Sequence, residues 1–252
     1  MPSVALVLAG GASRRMGQDK LQLPWCRSSD KPIARRVVEV AETVADEVWV
    51  IAAQEAGSWV ADLASPAQAA AASGRRVRVV RDAVAYQGPL QALGRAWPRP
   101  QDLGGGAEDA VVFVIAADLP GLQPAVLEAC RQALLAADTE ASPDGMASPN
   151  ASGAADAACV VRDGRLQPLL GCYRLGVGCV LRQAAQAGEF RILPVLETLA
   201  VLRIDADAQG WPVWWTKPVH TPGDYQAWLA WVEAEGCGPT TTDSALNQNL
   251  DR

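Results

Sequence analysis

Short β-branched apolar runs alternate with stretches of helical period along most of the chain. Val4 to Leu8, Glu47 to Ala52, Val77 to Val80 leading to Asp82, and Val111 to Ala116 read as strands. Ile33 to Val44, Leu90 to Trp97 and Pro124 to Ala137 carry apolar residues at helical spacing, the last with proline in its first turn. The run Val111 to Ala116 is apolar at every position, as a central strand covered on both faces must be. The second half is less regular. Ala157 to Val161 and Gln167 to Tyr173 read as strands around an Asp163-Gly164 turn, and Leu175 to Ala187 as a helix stopped by Gly188. Val201 to Ile204 and Val213 to Trp215 read as short strands, and Pro222 to Ala234 as a closing helix. Strands alternating with helices predict parallel pairing through right-handed crossovers. The fold class is therefore α/β, a Rossmann-like three-layer sandwich with a mainly parallel central sheet.

Ala64 to Gly74 and Pro98 to Glu108 interrupt the alternation and read as surface insertions. From residue 236 to 252 the chain is polar and aperiodic, which predicts a disordered tail after one domain spanning 1–235.

The first strand breaks at once into Ala9-Gly10-Gly11-Ala12-Ser13-Arg14-Arg15-Met16-Gly17-Gln18-Asp19-Lys20. Glycines after a buried strand let backbone N–H groups approach a ligand that a Cβ would hold off, and successive loop N–H groups form a concavity for anions. Arg15 and Lys20 add positive charge to this turn in a chain of formal charge −6. Two readings follow: a polyphosphate site, or an ordinary strand-to-helix turn with solvated arginines. Neither the P-loop pattern nor G-x-G-x-x-G is present.

Composition narrows the chemistry. The acidic balance argues against a nucleic-acid partner, which needs a basic face. No apolar run reaches the length of a membrane span, and the chain enters a strand with no leader-like segment, so we expect a cytoplasmic protein. The six cysteines form no Cys-x-x-Cys pair, which argues against a zinc site or disulfide framework. With His220 the single histidine, a Ser-His-Asp triad or a multi-histidine metal site has little to draw on.

Leu8-Ala9-Gly10-Gly11, Arg15-Met16-Gly17 and Lys20 together resemble the signature loop of the nucleotidyltransferases related to molybdenum-cofactor guanylyltransferase. In that family the loop wraps the triphosphate of an NTP, so the resemblance implies nucleotide binding by Leu8, Ala9, Gly10, Gly11 and Lys20. Arg15 and Lys20 would act on the phosphates during the reaction. Asp118 follows the strand Val111 to Ala116, and ligands of open parallel sheets bind outside the carboxyl ends of strands. By itself it is either a carboxylate facing the crevice or a cap ahead of Pro120; the resemblance makes it the catalytic ligand of Mg²⁺. Asp82 and the Gly88-Pro89-Leu90 turn resemble the border of the family's nucleotide site, against the plainer reading of a turn that starts a helix.

Gln167-Pro168-Leu169 before Tyr173, and Gly188-Glu189-Phe190-Arg191, resemble the family's acceptor side. Arg191 is either a phosphate ligand or a solvated arginine. Trp211, Trp214, Trp215, Trp228 and Trp231 either stack on a flat pterin or fill a core. The sequence departs from the family where asparagines are usual: Ile51 stands at the end of the second main strand, and Pro218 and His220 precede Thr221-Pro222. We expect His220 to be a packing residue beside a helix.

The resemblance implies Mg-dependent transfer of GMP from GTP to the phosphate of molybdopterin, with release of pyrophosphate. Transient contact with molybdoenzymes or other cofactor-synthesis proteins would follow. Gly10 resembles the guanylyl branch, whereas Lys20-Leu21 with Leu23-Pro24-Trp25 resembles the cytidylyl branch. Cytidylyl or other NMP transfer, and a non-catalytic nucleotide-binding module, stand as alternatives.

Overall fold

The computed structural model describes residues 1–10, 16–54, 56, 59–62, 76–82, 87–104, 107–140 and 155–235. The expected insertion Ala64 to Gly74 and the tail 236–252 lie outside them.

The strands are β1 (Ser3–Leu8), β2 (Pro24–Cys26), β3 (Ser29–Pro32), β4 (Glu47–Ala53), β5 (Arg76–Asp82), β6 (Val111–Ala116), β7 (Ala157–Arg162), β8 (Arg165–Arg174) and β9 (Val201–Asp205). The helices are α1 (Ile33–Val44), α2 (Trp59–Asp62), α3 (Pro89–Ala96), α4 (Pro124–Glu140), α5 (Val177–Gln186), α6 (Leu193–Leu196) and α7 (Pro222–Glu235). A seven-stranded sheet runs in the order β5-β4-β1-β6-β8-β7-β9. Only β8 runs against its neighbours, pairing antiparallel with both β6 and β7. The mainly parallel sheet expected from the alternation is present.

Alternate residues of each strand feed opposite faces of the sheet. Ala5, Val7, Val48, Val50, Phe113 and Ile115 pack with α1 and α4 in one core. Val4, Leu6, Trp49, Ile51, Val112 and Val114 pack with α3 and α5 in the other. Helix α1 forms because Val37, Val38, Val40, Ala41 and Val44 make an apolar stripe at helical spacing, all of it buried.

A third, smaller core joins the β2–β3 hairpin to the end of the chain. Met16, Leu23, Cys26 and Ile33 meet Trp214, Val219, Trp228, Leu229 and Val232 there. Trp228 donates its indole N–H to the Trp25 carbonyl at 2.6 Å and Tyr225 its hydroxyl to the Pro24 carbonyl at 2.9 Å. Trp211 and Trp215 pack at the edge of the first core. The core-filling reading of these tryptophans therefore holds, and Trp228 is 1% exposed.

Two local expectations are corrected, and one element is added. Val213 to Trp215 is a single 3₁₀ turn after Pro212, not a strand. It is held by burial of Trp214 and by Arg162, whose guanidinium donates to the carbonyls of Trp211 (3.0 Å) and Pro212 (3.2 Å) and to Thr216 Oγ1 (3.0 Å). The stretch Pro98 to Glu108 is not purely a surface insertion: Pro100–Leu103 forms a 3₁₀ turn and Ala107 is buried in the second core. The antiparallel β2–β3 hairpin is an element the periodicity does not announce, since two three- and four-residue strands bearing prolines show no alternation.

Gly121, just past Asp118, is where the third core presses hardest on the sheet. A Cβ added there would lie 2.3 Å from the Trp214 carbonyl oxygen and 2.7 Å from its carbon, both backbone atoms. Gly121→Ala should therefore destabilise the protein by about 1–3 kcal/mol, the usual cost of overpacking. Urea unfolding measures this, and an unchanged midpoint would mean that the Trp214 turn is free to retreat.

Candidate active site

The site is built where the strand order reverses, at the carboxyl ends of β1 and β6. Leu8 is in register with both Ile51 and Ala116. The ladder continues one residue further: Ala9 N–H donates to the Ile51 carbonyl at 2.8 Å, and Ala117 N–H to the Leu8 carbonyl at 3.1 Å. The loops after β1 and β6 thus leave the sheet side by side. Ala9 is buried and Gly10 exposed, with nothing within 4 Å of the place a Cβ would take. Gly11 and Arg15 lie outside the described residues.

The chain returns from the glycine turn through a 3₁₀ turn, Lys20–Gln22, capped by Asp19, which accepts the Leu21 N–H at 3.1 Å. Leu21 is buried in the first core and pins the turn, so Lys20 faces the crevice. Its Nζ forms an ion pair with Asp118 Oδ2, with side-chain exposures of 15% and 13%. The two residues sit side by side, as the polyphosphate reading requires.

His220 completes the cluster. Its Nδ1 lies 3.4 Å from Lys20 Nζ and 3.5 Å from Asp118 Oδ2. The backbone puts it there: Val219 N–H donates to the Asp118 carbonyl at 2.9 Å. A reciprocal cap then starts α7, with Thr221 Oγ1 donating to Asp224 Oδ2 at 2.8 Å and Asp224 N–H donating to Thr221 Oγ1 at 3.1 Å. His220 N–H also donates to Asp224 Oδ2, at 3.2 Å. The expectation of a mere packing residue is corrected, for His220 is half exposed and borders both charged groups. Its place 200 residues from Lys20 leaves no local sequence signal. The nearest clue is the Thr221-Pro222-Gly223-Asp224 cap, which fixes its backbone.

Burial acts on the Asp118 carboxyl to raise its pKa, but hydrogen bonding to His220 and the Lys20 charge outweigh it, so the pKa lies below the usual aspartate value. Asp118 Oδ1 is buried and has no hydrogen-bond partner among the described residues. No group of three or more His, Cys, Asp or Glu residues is gathered for a metal among them. One carboxylate with an orphaned oxygen fits a magnesium ion, which takes one or two carboxylates together with phosphate oxygens and water.

The other expected residues divide. Asp82 ends β5, the edge strand two places from β1, and makes a two-pronged pair with Arg95: Nε to Oδ1 at 3.0 Å and Nη2 to Oδ2 at 3.1 Å. Gly88 has φ +90°, and a Cβ there would lie 2.9 Å from the Phe190 carbonyl oxygen. It thereby seats the loop 188–191, which Gln91 also holds by donating to the carbonyls of Ala185 (2.9 Å) and Glu189 (2.8 Å). Arg191 is 79% exposed, with Nε 3.5 Å from Glu189 Oε1. Tyr173 is fully buried, donates to the Pro168 carbonyl at 2.6 Å and belongs to the second core.

A lysine and an aspartate converge at the switch point of a mainly parallel sheet, the place where open α/β folds bind ligands. The family model of the MobA-like NTP transferase domain matches residues 5–200, and the chain belongs to that family. It is 31% identical over 227 residues to a probable molybdenum cofactor guanylyltransferase of Synechococcus elongatus, covering 90% of this chain and 98% of that one. A relative of the same description from Bacillus licheniformis is 26% identical over 216 residues, covering 85% and 90%.

Among solved structures, molybdopterin-guanine dinucleotide biosynthesis protein A from Archaeoglobus fulgidus superposes with a TM-score of 0.61 at 19% identity, over 92% of this chain and 99% of that one. The 4-diphosphocytidyl-2C-methyl-D-erythritol synthase of Anaerococcus prevotii gives the same TM-score, 0.61, at 10% identity, over 92% and 98%. These two likenesses speak to the fold.

A carboxyl whose folded pKa is depressed stabilises the protein above its unfolded pKa, about 3.9, and that contribution is lost as pH falls through the folded value. In metal-free protein the Asp118 carboxyl carbon should titrate below an ordinary aspartate, and Lys20→Met should move its midpoint upward. An unmoved midpoint in the NMR titration would remove Lys20 as a source of the shift.

Proposed function

We propose that the protein transfers GMP from GTP to the phosphate of molybdopterin, or of a closely related acceptor, and releases pyrophosphate. The observation that carries this reading is the Lys20–Asp118 pair at the mouth of the glycine turn, in a chain related over 90% of its length to a probable molybdenum cofactor guanylyltransferase.

In this reading Leu8, Ala9, Gly10 and Gly11 border the nucleotide, and Arg15 with the N–H groups of the glycine turn is assigned to the phosphates. Gly88, where a Cβ would crowd the Phe190 carbonyl, is assigned to the border of the nucleotide site. Asp82 orders this border through its pair with Arg95. Lys20 exchanges the Asp118 carboxylate for a β- or γ-phosphate oxygen as the triphosphate enters. Asp118 would hold Mg²⁺ through its carboxylate, whose Oδ1 has no hydrogen-bond partner among the described residues. Bound there, Mg²⁺ would neutralise phosphate oxygens and align the α-phosphate for in-line attack.

A phosphate monoester has a second pKa of about 6 and is largely ionised at neutral pH, so the acceptor needs no strong base. Its oxygen bonds to the α-phosphorus, the bond from that phosphorus to the bridging oxygen breaks, and pyrophosphate leaves with the electron pair. The protein's task is electrostatic: bring two anions together and stabilise the departing one. Lys20, Arg15 and the loop N–H groups do this. We assign the loop 188–191 to the acceptor side, where exposed Arg191 would meet the acceptor phosphate. The free thiols of the described cysteines suit a reducing cytoplasm, where the finished cofactor would pass to molybdoenzymes.

Pyrophosphate release with purified protein, Mg²⁺ and molybdopterin should be fastest with GTP and should stop when the metal is chelated. Lys20→Ala and Asp118→Ala should each lower turnover by about a hundredfold or more, the scale of one lost transition-state contact. A preference for CTP would replace guanylyl by cytidylyl transfer. Nucleotide binding without turnover on any NTP would leave a non-catalytic module.

A further inference from the structure

A second basic site lies away from the crevice, in the groove between α3 and α5. The two helices turn Leu90, Leu93 and Leu181 into the second core. They approach closely at Gly94, where an added Cβ would lie 3.0 Å from the Ala185 Cβ. Beside this contact is a cavity of about 440 Å³, lined by Arg95, Arg99 and Arg182 with Gln91, Trp97 and Gln186. Its volume is within the range of small-molecule sites, about 300–1,000 Å³.

Three guanidinium groups around one cavity are unexpected on a chain of formal charge −6. Asp82 offsets one of them, through its two-pronged pair with Arg95. Arg182 is not offset in this way. Its Nη2 meets only the weak acceptor Cys179 Sγ at 3.6 Å, and its Nη1 is buried with no hydrogen-bond partner among the described residues. A thiol is a weak acceptor, and an anion in the cavity would offer the more accessible Nη2 a stronger one. Arg99 is exposed at the end of α3, and its backbone N–H is bound by Asp102 Oδ2 at 2.8 Å, which fixes the chain there. Nothing in this groove belongs to the Lys20–Asp118–His220 cluster.

We infer that the α3–α5 groove binds a small phosphorylated molecule, its phosphate held by Arg182 and Arg99. Guanidinium forks match phosphate oxygens two at a time, which is why arginine rather than lysine marks such a site. Arg95 adds to the field while it stays paired with Asp82. A cavity of about 440 Å³ holds more than the bare ion, so the fit is to a phosphate ester. The inference stands independently of the transfer reaction.

Calorimetric titration of the intact protein with inorganic phosphate and with glycerol 3-phosphate, at low ionic strength, tests it. Lys20→Ala serves as the background that weakens binding at the triphosphate turn. Both proteins should bind glycerol 3-phosphate saturably. Arg182→Gln should weaken that binding about tenfold or more, and so should Arg99→Gln, whose exposed position keeps the fold out of question. Tighter binding of the ester than of inorganic phosphate would show that the rest of the cavity is used, and equal binding would overturn the fit to an ester. The inference is overturned if neither probe binds saturably, if both arginine variants bind as the parent does, or if Lys20→Ala abolishes binding that Arg182→Gln retains.

Discussion

The contact between Lys20 and Asp118 joins two loops 98 residues apart, and much of the remaining structure exists to hold them in place. A nearly buried ion pair is a poor source of stability, because removing both charges from water costs about as much as their attraction returns. This one also leaves Asp118 Oδ1 buried with no hydrogen bond among the described residues. Stability alone does not account for such an arrangement. The proposed transfer would account for it, since a pair that trades its partners for a phosphate and a cation would have its charges desolvated and in position before the ligand arrives.

What holds the pair is the third core, and the tryptophans are its main material. Trp25, just beyond Lys20, donates its indole N–H to the Pro120 carbonyl at 2.7 Å, tying the hairpin directly to the loop that bears Asp118. Trp228 returns a hydrogen bond to the Trp25 carbonyl, and Trp214 packs edge-on against Trp228 with ring centroids 5.7 Å apart. Gly121 leaves room for the Trp214 backbone, and Val219 hydrogen-bonds to Asp118 itself. Three distant stretches of chain are thus locked around one carboxylate. The rings of Trp25 and Trp214 pack against Trp228, and the indole N–H groups of Trp25 and Trp228 go to backbone carbonyls, so these three build the scaffold of the site.

The sequence discloses the parts of this design that obey a local rule. Val111 to Ala116 is apolar throughout and reads as a covered strand; the rule that ligands gather at strand ends left Asp118 with two readings, between which the family resemblance chose. Lys20 was legible from its place after a glycine turn in an acidic chain. His220, Arg162 and the β2–β3 hairpin were not, because each depends on a partner far along the chain. Arg162 looks like any strand-end arginine until Trp211, Pro212 and Thr216 close over it. Val213 to Trp215 shows the same limit from the other side: three residues of high strand propensity form a 3₁₀ turn because burying Trp214 against Gly121 outweighs a local preference worth less. Asp82 was placed by the strand-end rule too, but the rule says nothing of Arg95, one helix away, which occupies its carboxylate.

Strand β8, the one that runs against the main sheet, explains how the loop 188–191 reaches the rim that bears Gly88. In a parallel unit the helix after a strand runs back toward the strand's starting edge, as α3 does after β5. Strand β8 runs the other way, with Arg174 opposite Val111 and Leu170 opposite Ile115. It therefore ends at the edge where β6 begins, and α5 starts there, with Gly178 against Trp97 at the end of α3. Helix α5 then climbs antiparallel to α3 and delivers Gly188 to Arg191 to the rim where α3 begins. Contacts at both ends of the helix pair agree: Trp97 Nε1 donates to the Leu175 carbonyl at one end, and Gln91 to the Glu189 carbonyl at the other. With a parallel strand in place of β8, the same helix would carry that loop to the opposite edge, out of reach of Gly88. The reversal of one strand is what lets the amino-terminal and carboxy-terminal halves of the chain share a single rim.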